Sequence, residues 1–262
     1  MNSRLPEARD RKAGPLAAID VAILAGGLGT RLRGVLGETP KVLAPVGGKA
    51  FLDHLFAWLK GFGARRIVLC LGFRAEKVLE HVANHIPDGL EVVTVVEPEP
   101  LGTAGGLRYA RDRLVSDPVL VMNGDTFVDA DLAAFVAAHR KTGSEASILA
   151  TAVPSMARYG RLEVDAGGMI RRFAEKDPSD TGPGLINAGL YLFSATWLDQ
   201  LAATTATSLE RDMLTAAPPG TYRAVPTGET TFIDIGTPES LSSAATVMAK
   251  AIDRLHPTRV VA

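Results

Sequence analysis

The chain has 262 residues, 47% of them hydrophobic, and its 28 Lys and Arg nearly balance 29 Asp and Glu for a formal net charge of -1. That length fits one large α/β domain or two small ones, and the charge balance gives no electrostatic case for a polyanionic partner such as nucleic acid. Cys70 is the only cysteine, so an internal disulfide is excluded, and its setting in "RIVLCLGF" reads as a buried strand position.

Residues 1–17 are polar and charged without an apolar core; they read as a flexible tail and not as a signal peptide. No stretch reaches the ~18 apolar residues of a membrane span, so no membrane partner and a cytoplasmic location are expected. Then short apolar runs alternate with amphipathic ones. "DVAILA" predicts a strand, and "AFLDHLFAWLKGFG" predicts a helix with Phe51, Leu55, Trp58 and Leu59 on one face, ending at Gly61 or Gly63. "RRIVLCLG", "LEVVTVVEP", "PVLVMNGD" and "EASILATAVP" predict strands; "AEKVLEHVANHI", "AGGLRYARDRLV" and "ADLAAFVAAHRKTG" predict the helices between them. This alternation implies βαβ crossovers and a mainly parallel sheet. After residue 155, "YGRLEVDAGGMIRRFAEK" predicts a hairpin closed by a Gly-Gly turn, set beside the main sheet. "GLINAGLYLFS" and "YRAVPTGETTFIDIG" predict further strands, and "PESLSSAATVMAKAIDRL" a closing helix. His54, His81, His85 and His139 fall on helix patterns and read as surface residues.

The glycine-rich turn in "VAILAGGLGTRLRG" follows a strand and precedes arginine, which suits backbone that lets an anion approach main-chain N–H groups. A P-loop would need Lys then Ser or Thr after its last glycine, whereas Gly29 is followed by Thr30 and Arg31. A dinucleotide fingerprint would need a third glycine where Leu32 stands, and no acidic residue ends the next strand. Two readings stay open on these residues alone: a structural turn with solvated arginines, or a nucleoside triphosphate cradle. In the second, Gly26, Gly27 and Gly29 bare the backbone, Thr30 adds a hydroxyl, and Arg31 grips the β- and γ-phosphates.

"LAGGLGTRL" followed by "TPKVLAPV" resembles the signature of the sugar-1-phosphate nucleotidyltransferases. "EPLGTAGGL", "NGD", "YGRLEVD", "FAEK", "INAGLYLF" and "FIDIGTPE" follow in the family's order, so the likeness runs from about residue 18 to 241. The resemblance implies a Rossmann-like α/β nucleotidyltransferase fold: a mainly parallel mixed central sheet flanked by helices, with the hairpin inserted for the sugar. Residues 18–262 would form one domain with a nucleotide-binding half over 18–150, a sugar-phosphate-binding half over 151–245, and no C-terminal β-helix. It also implies transfer of a nucleotidyl group to a sugar 1-phosphate with release of pyrophosphate. The attacking oxygen is then already anionic, which agrees with the lack of a convincing Ser-His-Asp or Cys-His set.

Carried over residue by residue, the resemblance makes Arg31, Lys41, Asp125 and Asp234 the catalytic set. Asp125 and Asp234, each expected at a strand end, would share Mg²⁺. The nucleotide would meet Leu24, Ala25, Gly26, Gly27, Gly29, Thr30, Glu97, Gly102, Thr103 and Asn123. The sugar phosphate would meet Gly160, Glu175, Lys176, Asn187 and Gly189, with Lys176 on the phosphate. Arg171, Arg172, Asp129 and Asp131 read as solvated charges.

Glu97 stands where thymidylyl- and many uridylyltransferases of the family carry glutamine. Guanine offers two adjacent donors, N1–H and N2–H, and a carboxylate offers only acceptors, so GTP is the expected donor substrate. Within the family the motifs look most like the enzymes acting on D-glycero-α-D-manno-heptose 1-phosphate, which supply GDP-heptose for capsule or surface polysaccharides. Mannose-1-phosphate guanylyltransferase and glucose-1-phosphate thymidylyltransferase are the alternatives, and an inactive regulatory subunit is the non-enzyme one. A homodimer is compatible with the resemblance, and the sequence leaves the oligomeric state open.

Overall fold

The computed structural model describes residues 14–174, 177–228 and 230–255. In chain order these form β1 (Val21–Ala25), α1 (Arg33–Leu36), β2 (Pro45–Val46), β3 (Lys49–Ala50), α2 (Phe51–Gly61), β4 (Arg66–Leu71), α3 (Ala75–His85) and β5 (Glu91–Val96). Then come α4 (Gly102–Tyr109), β6 (Val119–Asn123), β7 (Thr126–Val128), α5 (Leu132–Thr142), β8 (Ala146–Val153), β9 (Arg161–Val164) and β10 (Ile170–Ala174). The rest is β11 (Gly184–Phe193), α6 (Ala195–Ala202), a π-helical segment Leu209–Thr215, β12 (Arg223–Pro226), β13 (Phe232–Asp234), α7 (Pro238–Val247) and α8 (Ala249–Leu255).

Among the described residues, nine strands form one sheet in the order β10-β9-β11-β6-β1-β4-β5, with β8 beside β11 and β12 beside β8. β1 pairs parallel with both β4 and β6, and β4 with β5, whereas β11 runs antiparallel to β6, β8 and β9. The sheet is thus mixed and mainly parallel in its first half. Its central strands β1, β4 and β6 are apolar except for Arg66 and Asn123 at strand ends, because both faces are covered. Ile67, Leu69 and Leu71 of β4 enter the core under α2, α3 and α5, while Val68 and Cys70 point to the core under α4 and α6. Burial pushes the Cys70 thiol up to about 12, which leaves it a protonated core residue, as its sequence setting suggests. No helix among the described residues is long and apolar enough to cross a membrane.

Chain order sets where a ligand can enter. From β1 the chain goes to β4 and β5 on one side, then returns with β6 on the other. The flanking crossovers therefore diverge beyond the carboxyl ends of β1 and β6, and open α/β sheets leave a crevice at such a reversal. The hairpin β9–β10 extends the far edge of this sheet. A small ladder, β7 against β13, brings the segment after Asn123 beside Asp234.

Several local expectations need correction. Residues 14–17 do not belong to a loose tail: Leu16 is fully buried and its N–H donates to Phe62 O at 3.1 Å. His54 and His139 are buried, not surface residues, because each imidazole finds a partner: His54 Nε2 lies 2.9 Å from Val46 O, and His139 Nδ1 2.9 Å from Ser147 Oγ. His81 is part-buried against Asp53 at 2.7 Å. "YRAVPTGETTFIDIG" divides into β12 and β13, which join different sheets. The closing helix breaks at Met248 into α7 and α8. The helix predicted from "AGGLRYARDRLV" ends at Tyr109 and passes into a 3-10 turn over Arg111–Arg113.

Candidate active site

Two adjoining cavities open at the crevice. The first, about 490 Å³, is lined by residues 24–31 after β1, by Lys41 and Val42, by Cys70, by Glu97 and Pro100 after β5, by Gly102 and Thr103 of α4, and by residues 123–125. It gathers every nucleotide-side candidate: Leu24, Ala25, Gly26, Gly27, Gly29, Thr30, Glu97, Gly102, Thr103 and Asn123. The second, about 420 Å³, holds Gly160, Asn187 and Gly189 from the sugar-side candidates, with Asp234. Arg31, Asn123 and Asp125 line both cavities and so mark their junction. Glu175 and Lys176 lie outside the described residues.

Glu97 sits where close backbone approach is needed. A Cβ on Gly26 would come within 2.7 Å of its Oε1, and one on Gly106 within 2.4 Å. Bare glycine on both sides is what admits the carboxylate to the cavity wall. Its Oε2 accepts from Leu101 N at 3.0 Å. Burial pushes the Glu97 carboxyl above the ordinary glutamate range, and the Leu101 N–H works in the opposite direction.

At the junction, Lys41 Nζ donates to Asp125 Oδ2 at 2.9 Å. β6 ends at Asn123, so Asp125 lies in the turn before β7 and not at the strand end itself. Asp234 does close β13, opposite Thr126, and Ile235 N donates to Asp125 O at 2.9 Å. Its Oδ1 accepts from Gly236 N at 2.6 Å. A Cβ on Gly236 would lie 2.6 Å from Asp234 Oδ1 and 3.3 Å from an Arg31 guanidinium nitrogen, so Arg31 reaches the same corner. Two carboxylates and two cations thus converge where the cavities meet.

The second cavity also contains residues that the sequence patterns did not single out: Thr126, Tyr159, Phe173, Ser208, Glu210, Arg211 and Phe232. Ser208 to Arg211 fall in a stretch with neither helical nor strand periodicity. The only cue there was polar density between two apolar runs. Asn187 is committed at both ends of its amide, accepting from Gly189 N at 2.9 Å and donating to Tyr191 OH at 2.7 Å.

Known proteins share this fold. The HddC crystal structure from Yersinia pseudotuberculosis superposes with a TM-score of 0.77 at 34% identity, over 87% of this chain and 98% of that one. A second structure of that protein is complexed with GMP-PN. D-glycero-alpha-D-manno-heptose 1-phosphate guanylyltransferase of Campylobacter jejuni is 32% identical over 217 residues, 83% of this chain and 94% of that protein. Probable mannose-1-phosphate guanylyltransferase 2 of Arabidopsis thaliana is 36% identical over 199 residues, 73% of this chain and 54% of that protein. The chain spans about half the length of most of the mannose-type relatives it matches. A nucleotidyl transferase family profile covers residues 21–251, and the chain belongs to that family.

Proposed function

We propose that this chain transfers GMP from GTP to a sugar 1-phosphate, giving a GDP-sugar and pyrophosphate, with residues 18–150 serving the nucleotide and 151–245 the sugar. The observation that carries this reading is the pair of cavities meeting at Arg31, Asn123 and Asp125. Joining two phosphate-bearing anions needs adjoining subsites and positive charge at their boundary. Lys41 and Arg31 supply that charge. The backbone of residues 24–30 takes the ribose and phosphates, and Glu97 accepts the N1–H and N2–H of guanine. A phosphate oxygen of the sugar 1-phosphate attacks the α-phosphorus as the bond to the β-phosphate breaks, and Arg31 holds the departing pyrophosphate. The nucleophile carries no proton to be removed, so no general base is assigned. On the sugar side Gly160, Asn187 and Gly189 face the hydroxyls, and the family resemblance assigns Glu175 to the hydroxyls and Lys176 to the phosphate.

Asp125 and Asp234 would hold Mg²⁺. Two hard carboxylates beside a phosphate subsite suit an ion that keeps few protein ligands and completes its octahedron with phosphate and water. When bound, Mg²⁺ supplies charge neutralisation at the α-phosphoryl group.

For the sugar we favour D-glycero-α-D-manno-heptose 1-phosphate, as a cytoplasmic step toward capsule or surface polysaccharide. The Campylobacter relative, matched over 94% of its length, supports it. Mannose 1-phosphate is the second reading, favoured by relatives 36% identical that carry that name. The test is a pyrophosphate-release screen of GTP, ATP, UTP and dTTP against heptose, mannose and glucose 1-phosphates. GTP with heptose 1-phosphate should give the highest kcat/KM. Preference for dTTP with glucose 1-phosphate would overturn both the base and the sugar assignments.

A further inference from the structure

A chain of hydrogen bonds joins the two cavities through Glu210 and Tyr191, which lie outside both substrate sets. Thr103, near the start of α4, accepts from Leu209 N at 2.9 Å and donates to Glu210 Oε2 at 3.3 Å. Glu210 Oε1 accepts from the Tyr191 hydroxyl at 3.2 Å, and that hydroxyl accepts from Asn187 Nδ2 at 2.7 Å. Asn187 Oδ1 takes the Gly189 N–H at 2.9 Å.

The segment that carries Glu210 is held firmly. Asp212 Oδ2 accepts from Thr207 N, Ser208 N and Thr207 Oγ1 at 2.9, 2.9 and 3.0 Å. Those donors hold the Asp212 carboxyl well below the usual carboxylate range. Thr207 O in turn accepts from Ala104 N at 3.0 Å, which docks the segment on α4.

The direction of each bond follows from donor chemistry. An ionised carboxylate only accepts, so Tyr191, which is completely buried, must donate to Glu210. Its oxygen is then left to accept, and only the amide nitrogen of Asn187 can supply that proton. The Gly189 N–H, which needs an acceptor, fixes the same amide orientation independently.

We propose that Glu210 is a positioning residue: acting through Tyr191, it orients the Asn187 amide toward the sugar. Thr103, although it lines the nucleotide cavity, serves the sugar side by holding Glu210. This rests on the two-subsite reading above. Burial raises the Tyr191 phenol far above its ordinary range, with Glu210 adding to the effect, so the hydroxyl stays a donor at working pH.

The test compares wild type with Glu210→Gln, Tyr191→Phe, Thr103→Val and Thr103→Ser. Steady-state KM and kcat are measured for each substrate, and mannose and heptose 1-phosphate binding by calorimetry, with Tm as the fold control. Glu210→Gln and Tyr191→Phe should raise KM and Kd for the sugar 1-phosphate about tenfold or more while KM for GTP moves less than about threefold, and Thr103→Val should raise the sugar 1-phosphate KM and Kd by a similar factor. Thr103→Ser, which keeps the hydroxyl, should recover most of the sugar affinity. A merely structural role would lower Tm and affect both substrates alike. Working wild type with unchanged sugar KM in the variants overturns the relay alone. Wild type that neither binds a sugar 1-phosphate nor turns over overturns the two-subsite reading and takes the relay with it. If Tyr191→Phe fails to fold, the Thr103 pair, near the end of the chain of bonds, decides the matter.

Discussion

Replacing Glu97 with glutamine keeps the size of the side chain and alters one atom's hydrogen-bonding sense. The structure fixes which atom. Leu101 N–H must keep an acceptor, so the amide oxygen takes the Oε2 position, 3.0 Å from that nitrogen, and the new NH₂ takes the Oε1 position between Gly26 and Gly106. There, on the proposed reading, it would face a donor of guanine. Loss of one charged hydrogen bond with a donor left unpaired costs about 2–4 kcal/mol, or roughly 30- to 1000-fold in kcat/KM for GTP. Activity with dTTP or UTP should fall less, or rise, because glutamine matches their donor–acceptor edges. The assay is kcat/KM for GTP and dTTP on both proteins with one sugar phosphate held fixed. The pH profile adds a second check. Burial raises the Glu97 carboxyl, so in the wild type GTP kcat/KM should decline on acidification from above the ordinary glutamate value of about 4.3, and Glu97→Gln should lack that limb. An unchanged GTP/dTTP ratio would remove Glu97 from base reading.

Asp125→Ala and Asp234→Ala should each abolish turnover with little change in Tm, and EDTA should stop the wild type reversibly; full activity without divalent metal would end the two-carboxylate account. Arg31→Ala should weaken GTP binding, whereas Lys176→Ala should chiefly raise KM for the sugar 1-phosphate. Sugar kinetics untouched by Lys176→Ala would move the phosphate elsewhere. His139 carries a pH prediction for stability. Burial holds its imidazole below the ordinary 6.5, so in the window beneath that value the unfolded chain binds a proton the folded chain refuses. Its contribution is therefore complete above about pH 6.5 and is lost as pH falls. Tm of wild type should drop more steeply from pH 7 to 5 than that of His139→Asn, and parallel curves would refute this.

The first half of the fold was legible because its strands and helices are separated by abrupt changes of period. β1, β4 and β6 are apolar apart from Arg66 and Asn123 at strand ends and α2 and α3 are amphipathic, so alternation alone implied a parallel sheet. The burial of His54 was not legible, because it depends on Val46 O lying within reach across a turn. Residues 222–236 read as strand, yet the chain changes sheets inside that stretch, and β propensity carries no record of which neighbour pairs. The glycine turn after β1 was readable as a place of close approach, and residues 24–31 do line the first cavity. Glu210 was not: its role comes from Tyr191 and Thr103, distant in sequence and joined to it only by the fold.

The most direct measurement is mass spectrometry of the products formed from GTP and a sugar 1-phosphate, with pyrophosphate counted in parallel. A GDP-sugar formed in equal amount with pyrophosphate, and absent without the sugar phosphate, is the outcome expected of two cavities meeting at Arg31 and Asp125. GTP consumed with no nucleotide–sugar product, or no consumption with any sugar 1-phosphate while Tm shows a folded protein, would mean that these cavities do not perform guanylyl transfer.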